Sequence, residues 1–313
     1  MKLSRTLPVV LGLCGVVALF AQNRQKETPS WAPKKIAKTV WTAPHKPHTK
    51  ISEVRTQHAG QKEWRHLVVD DDHFTAAYVQ MPAGGKVGRR FRPDTRTWWV
   101  VLDGEIKFTF EGQEPFVATK GSMVQVPMQT IFELETVGDK PSLRWEVDIA
   151  HAKTMYPQDV SPPKLDGFEF IPVVLNRKPQ PYGYTNVPHI NLYELAKRPE
   201  YTKGNGNFQH RFIHDDRGVS NIIYGYEKNL PPFNPKNRGH FHPECAEFWL
   251  VMEGQIRYPI EYAGDIIASQ GDVVYVPPFT FHAPRFHGEG PSCRLAMNGY
   301  PNIAHLFDSE VPH

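Results

Sequence analysis

Trp98-Trp99-Val100-Val101-Leu102-Asp103-Gly104-Glu105-Ile106 and Phe248-Trp249-Leu250-Val251-Met252-Glu253-Gly254-Gln255-Ile256 are one pattern written twice, 150 residues apart. In each, an apolar run meets an acidic residue and a glycine, as a strand does on entering a tight turn. The same offset relates Gly121-Ser122-Met123-Val124-Gln125-Val126-Pro127 to Gly271-Asp272-Val273-Val274-Tyr275-Val276-Pro277, and Ala76-Ala77-Tyr78 has its counterpart in Ile222-Ile223-Tyr224, 146 residues on. Three blocks repeated in the same order indicate two copies of one domain. Within each copy, short β-rich runs (105–110 and 123–126; 255–260 and 273–276) are separated by Gly, Pro and Asp turns. This predicts an all-β fold of two closed barrels or jelly rolls. A short helix is expected in the connection at 190–197, capped by Asn191.

Composition agrees and excludes several classes. The 313 residues suffice for two domains of about 100–150 residues each. A formal charge of +3, without a basic stripe, argues against nucleic acid as a partner, and three cysteines are too few for a disulfide scaffold. Residues 1–22 read as an export signal: Lys2 and Arg5 precede an apolar stretch over 7–20, and Ala21 is a cleavage residue. The expected location is periplasmic or secreted, with no membrane contact beyond the signal; a retained anchor is the alternative, for which the apolar stretch is short. Cys14 leaves with the signal. An oxidising compartment permits a bridge between Cys245 and Cys293, against the alternative of two separate buried thiols. Residues 23–50 form a Pro-rich arm in which His45 and His48 read as a solvated tail. The first barrel is expected at 51–150, an irregular Pro-rich connection at 151–190, and the second barrel at 191–313.

The second copy carries Gly239-His240-Phe241-His242-Pro243-Glu244-Cys245-Ala246-Glu247 and, after Pro277-Pro278-Phe279-Thr280-Phe281, His282. In an extended strand His240 and His242 face the same side. A short turn returns Glu247 on the neighbouring strand. Three imidazoles and one carboxylate suit one divalent transition metal (Fe, Mn, Cu, Ni or Zn), with positions left for substrate or oxygen. In the first copy these positions are held by Arg90, Arg92, Thr97 and Phe132. Arginine does not coordinate cations. Arg90 and Arg92 are candidates for anion binding, or else they pair with acids such as Asp94, Glu133 or Glu135, or lie in solvent at the mouth.

The residues His240, His242, Glu247 and Gly254, followed by Gly271, Pro277 and His282, resemble the two motifs of the cupin superfamily, and the chain resembles a bicupin over roughly 60–150 and 205–300. The first-motif glycine upstream of the histidines is absent, Phe279 stands where the second motif usually has Gly, and Phe286 where it has Asn. The resemblance implies two tandem cupin barrels (double-stranded β-helix, jelly-roll), with metal in the second only. The three-His-one-Glu set is similar to that of oxalate decarboxylases and oxidases and of quercetin-type dioxygenases. Gentisate-type dioxygenases usually lack the Glu, and oxalate-degrading bicupins usually keep ligands in both halves. The expectation is an exported oxidoreductase of dioxygenase type acting on a small phenolic, enediol or carboxylate substrate. Two alternatives stand beside it. One is a metal-assisted decarboxylase, lyase or isomerase, for which Tyr258, Glu261, Tyr275 and His287 are candidate proton carriers. The other is a non-catalytic binder of a sugar or carboxylate. Trp249 and Tyr275 are candidates for an aromatic pocket wall, though barrel core suits both. The resemblance also allows a homo-oligomer.

Overall fold

The computed structural model describes residues 28–183 and 186–309. The export signal read at 1–22, with Cys14, lies outside them. The chain divides into Met1–Pro33, of which only 28–33 are described, and Lys34–His313, which contains both barrels. No helix among the described residues is long and apolar enough to cross a membrane.

Each barrel is a large sheet facing a small one, and the two are built alike. The first large sheet runs His189–Asn191, Ser122–Val126, Thr97–Asp103, Ser142–Ile149, Phe74–Met81 and Trp64–Asp70. The second runs His48–Thr49, Val273–Val276, Glu247–Glu253, Pro291–Asn298, Gly218–Tyr226 and Phe208–Asp215. All pairings in both are antiparallel, and the registers correspond: Thr97 faces Val126 and Asp148, as Glu247 faces Val276 and Asn298. The small sheet of the first barrel is Lys86–Arg90, Phe132–Val137, Glu105–Phe110 and Phe116–Ala118; that of the second has Gly264–Ser269, Gln255–Ile260 and Arg285–His287.

The repeated apolar runs are continuous rather than alternating because their strands are covered on both faces. Successive side chains on a strand point to opposite sides. Trp98 and Phe248 pack in the core between the barrels, with Trp145, Leu295 and Met297, whereas Trp99 and Trp249 each enter the interior of their own barrel. Phe74 meets Phe248 edge to face at 5.5 Å across that junction. Tyr78 of the first barrel donates its hydroxyl to the Gly271 carbonyl of the second at 2.5 Å. Burial of each such aromatic or aliphatic side chain contributes about 2 kcal/mol, so the junction is a true core. The turns that follow the runs require glycine. Gly104 and Gly254 have φ of 69° and 61°, and a Cβ there would stand 2.5 and 2.3 Å from the carbonyl oxygens of Pro141 and Pro291.

The arm is not a solvated tail. His48–Thr49 pairs with Val274 and Val273, His48 Nε2 lies 2.8 Å from Asp272 Oδ2, and His45 stacks on the Tyr275 ring at 4.2 Å. His45 Nε2 also accepts from the Asp70 backbone amide. His48 docks because a carboxylate distant in sequence comes to meet it, and His45 because the Tyr275 ring and the Asp70 amide do. In the same way His189–Asn191, just ahead of the second barrel, pairs with Val124, Met123 and Ser122 of the first. A helix follows each of these two strands, Ile51–Gln57 and Leu192–Ala196, and Asn191 caps the latter by accepting from the Tyr193 amide at 2.9 Å. Cys245 and Cys293 are both buried and free, so no bridge forms. Cys293 faces the junction between the barrels.

The first barrel neutralises its own interior charges. Arg92 is bound by Asp148 at 2.7 Å and by the hydroxyls of Thr97 and Thr154. Arg144 bonds Glu146 through Nε and Nη2, both at 3.1 Å, and Glu146 also accepts from Trp99 Nε1 and Arg65. The acid that meets Arg92 is therefore Asp148, not Asp94, Glu133 or Glu135. Arg90 stands over the Tyr156 ring at 5.5 Å and donates to the Gly88 carbonyl. Burial pushes the Glu146 carboxyl up, but Arg144 and Arg65 outweigh it and hold it at about 2. A carboxyl held below its unfolded value stabilises the fold above that value and ceases to do so as pH falls through the folded one. Glu146→Gln should therefore destabilise the protein by about 3 kcal/mol near neutral pH, leaving Arg144 buried without its counter-charge. In urea unfolding, the difference from wild type should shrink between about pH 4.5 and 2; a difference constant over that range contradicts the assignment.

Candidate metal centre in the second barrel

Four side chains converge at one end of the second barrel. His240 lies in the two-residue strand His240–Phe241, His242 follows it, Glu247 opens the strand Glu247–Glu253, and His282 lies beyond the Val273–Val276 strand. Reciprocal backbone bonds of 3.1 and 2.9 Å between His240 and His282 set those two rings 4.5 Å apart. Phe279 makes the loop that delivers His282. Its φ is 64°, the left-handed region where glycine is usual, and its amide donates to the His242 carbonyl at 2.8 Å. The substitution of Phe for Gly thus keeps the turn, with backbone strain held by a hydrogen bond to a cluster residue. Gly239 is required beside it, because a Cβ there would lie 2.0 Å from the His282 carbonyl oxygen.

The ligand atoms of His240, His242, Glu247 and His282 all lie within 4.8 Å of one another, and this cluster could hold a metal ion. His242, His282 and Glu247 are nearly closed to solvent. His242 Nδ1 faces the Ala304 carbonyl at 2.8 Å and its Nε2 faces Glu247 Oε2 at 2.9 Å. His282 Nδ1 faces the Thr280 carbonyl at 2.9 Å and its Nε2 faces the same Glu247 oxygen at 3.3 Å. Burial lowers the His242 pKa but its bond to Glu247 outweighs this and raises it, so without a cation that ring tends to take a second proton; while neutral, each ring has one proton to give and meets one acceptor more than it can serve. A cation between the Nε2 atoms and the carboxylate resolves this, with the Nδ1 protons on backbone carbonyls fixing the tautomer and aiming the lone pairs. The residues present fit a divalent transition metal. His240 completes the set as a neutral donor, its pKa lowered to about 2 by burial and by His282 beside it. Burial works to raise the Glu247 carboxyl, but bonds from His242 and His282 hold it well below the usual range.

The sequence reading missed His305. Its ring lies 4.8 Å from that of His240 and 4.6 Å from that of His242. The segment Leu306–Phe307 pairs with His240–Phe241 and carries it there. No pattern in the sequence marks it, but the structural repeat does. In the first barrel Met155 bridges Phe91 as Leu306 pairs with Phe241, and Thr154 contacts Arg92 as His305 contacts His242. The repeat therefore extends past the last long strand of each barrel, into stretches that lack the apolar alternation by which strands are found.

The other candidates scatter. Tyr275 turns away from the cluster: its hydroxyl donates to Asp71 of the first barrel at 3.0 Å and its ring packs in the junction core, because its place in the Val273–Val276 strand faces outward. It is neither a proton carrier nor a pocket wall here. His287 lies 3.3 Å from Glu227, outside the cluster. Glu261 holds Lys34 of the arm at 2.7 Å and accepts from the Phe281 amide. Trp249 does wall the cluster, its ring 5.2 Å from His282, and Tyr258 lies behind it at 5.2 Å.

Residues 229–297 match the family model described as the Cupin domain. The second barrel is a cupin barrel. Among curated proteins none matches this chain in sequence. Solved structures extend the likeness to both barrels. Salicylate 1,2-dioxygenase from Pseudaminobacter salicylatoxidans superposes with a TM-score of 0.56 at 10% identity, covering 81% of this chain and 84% of its own. A cupin 2 conserved barrel domain protein from Leptotrichia buccalis gives 0.54 at 10%, covering 80% and 95%. A mutant oxalate decarboxylase from Bacillus subtilis gives 0.50 at 13%, covering 91% and 88%. At these identities the likeness is one of fold, and the chain has the two-barrel cupin fold. The site's chemistry is carried by its own residues.

Metal analysis of protein dialysed against a weak chelator checks the assignment. Wild type should retain stoichiometric divalent transition metal, and Glu247→Ala should lose about tenfold or more of it. Full occupancy in the variant contradicts the placement.

Proposed function

We propose that this chain is a metal-dependent oxidoreductase of dioxygenase type, acting in its second barrel on a small phenolic, enediol or carboxylate substrate. The observation that carries the reading is the pair of imidazoles, His242 and His282, each facing an acceptor on both nitrogens around one buried carboxylate. Bound at His240, His242, Glu247 and His282, a divalent ion of Fe, Mn, Cu, Ni or Zn would supply Lewis acidity and a place for oxygen beside the substrate. The chain's own groups do the rest. The Ala304 and Thr280 carbonyls orient the donor rings, Trp249 gives the substrate an aromatic wall, and His305 stands at the mouth over His240 and His242. One site suffices for this chemistry, in keeping with a first barrel whose corresponding positions hold Arg90, Arg92, Thr97 and Phe132. The dioxygenase of similar fold, which forms adducts with gentisate, lends support to a phenolic carboxylate among these classes.

A second reading, a decarboxylase, lyase or isomerase that does not use oxygen, is favoured by His305, whose imidazole at the cluster offers a proton-carrying group. Oxygen uptake separates the two. With metal-loaded protein and gentisate or a flavonol, consumption should track product and vanish in Glu247→Ala. Turnover that persists without oxygen contradicts the dioxygenase reading.

We also propose that the chain is exported and that residues 1–22 are removed. Protein recovered from the periplasm or medium should begin near Asn23 on N-terminal sequencing; a cytosolic chain retaining Met1 overturns this.

A further inference from the structure

The second barrel holds a cation that no acid of its own contacts: Glu247 acts on Arg294 only through space, and the Phe286 ring lies 5.6 Å from its guanidinium. Arg294 lies on the Pro291–Asn298 strand across from Val251, on the inward face shared with Ala296 and Asn298. Its guanidinium makes no hydrogen bond or ion pair with the described residues, and its Nε is sealed from solvent without an acceptor. The first barrel shows what is missing. Arg144 occupies the equivalent place and is paired with Glu146, two residues along the strand. Where that carboxylate would stand, the second barrel has Ala296. Close to Arg294, Tyr258 is fully buried and its hydroxyl also has no partner. Buried polar groups of this kind are costly unless something completes them.

A cleft of about 430 Å³ reaches Arg294 from the barrel flank, between the large sheet and the Arg285–His287 strand. Ile223, Leu230 and Phe286 give it apolar walls, and Asn207, Gln209 and Arg285 supply its polar groups. The Arg285 Nε is likewise buried without an acceptor. Among the described residues no acidic one lines the cleft, and none of the four metal-cluster residues does. An arginine fork with apolar walls matches a planar monoanion on an apolar body. We propose that this cleft binds a small organic carboxylate, with the carboxylate paired to Arg294 and the apolar body against Ile223, Leu230 and Phe286. The site is distinct from the metal cluster, and its occupancy does not depend on metal.

Isothermal titration with benzoate and phenylacetate, and with benzamide and phenylacetamide as neutral controls, tests this on the full chain. The carboxylates should bind wild type saturably, with the amides at least tenfold weaker. Arg294→Met should weaken carboxylate binding at least tenfold, whereas Glu247→Ala, which removes a negative charge that acts on Arg294, should not weaken it. Ala296→Glu, which supplies the carboxylate found in the first barrel, should abolish it and serves if Arg294→Met does not fold. The proposal is overturned if neither carboxylate binds, if the amides bind equally well, or if Arg294→Met keeps wild-type affinity. Loss in Glu247→Ala alone would place the anion on the metal cluster and overturn it as well.

Discussion

A charge inside a barrel of strands must be answered from within that barrel or by something bound to it, since the surrounding apolar layers keep out the water that would otherwise do it. The two halves of this chain meet the requirement differently on one scaffold. In the first, two arginines face two carboxylates two residues apart on the Ser142–Ile149 strand. In the second, those acids have become Asn298 and Ala296, and the mouth holds three imidazoles around Glu247 instead. In the first arrangement Arg92 and Arg144 are already paired. The second is open, because two of the imidazoles, His242 and His282, are committed to backbone carbonyls and present lone pairs rather than protons to the centre. The difference between a self-paired interior and a cluster that could hold a metal thus lies in a handful of interior positions, while turns, registers and apolar faces stay the same.

Much of this was legible in the sequence, for definite reasons. The repeat is visible because a glycine turn and a two-faced apolar strand tolerate few residue types, so Gly104 and Gly254 and the runs before them stay recognisable across the copies. The cluster was legible because His240 and His242 have strand spacing and because the first copy lacks all four residues together. What escaped the sequence depends on contacts made at long range. The direction of Tyr275 is set by which face of its strand meets the other barrel, and Asp71, which receives its hydroxyl, is 204 residues away. The acid partner of Arg92 could not be chosen from nearby acids, since strand order places Asp148 beside it. His305 was hidden in a stretch without periodicity, positioned only by its pairing to the strand it covers.

The loop that delivers His282 shows how local strain and distant support combine. Phe279 holds a conformation better suited to glycine. Its carbonyl is bound by Lys34 at 2.7 Å, and the neighbouring Thr280 hydroxyl meets that of Thr39 at 2.6 Å. The arm therefore braces the segment on which the third imidazole depends, and the aromatic rings of Phe241, Phe281 and Tyr262 surround the same Lys34 ammonium. A site formed wholly by the second barrel's residues is held in shape by residues that precede the first.

The crossed edge strands have a consequence for how the molecule comes into being. His48 must wait for Val274, 226 residues later in synthesis, before its strand has anything to pair with. Closing so long a loop adds little to the thermodynamic balance, since that entropy grows only logarithmically, but it postpones the contact in time. The first barrel likewise lacks its last edge until His189–Asn191 has been made. Neither half carries all of its own sheet, so a chain divided between them leaves two exposed strand edges open to wrong partners. The crossed edges tie the completion of each sheet to the other half, and the earliest of these pairing segments to be made has the longest wait for its partner strand.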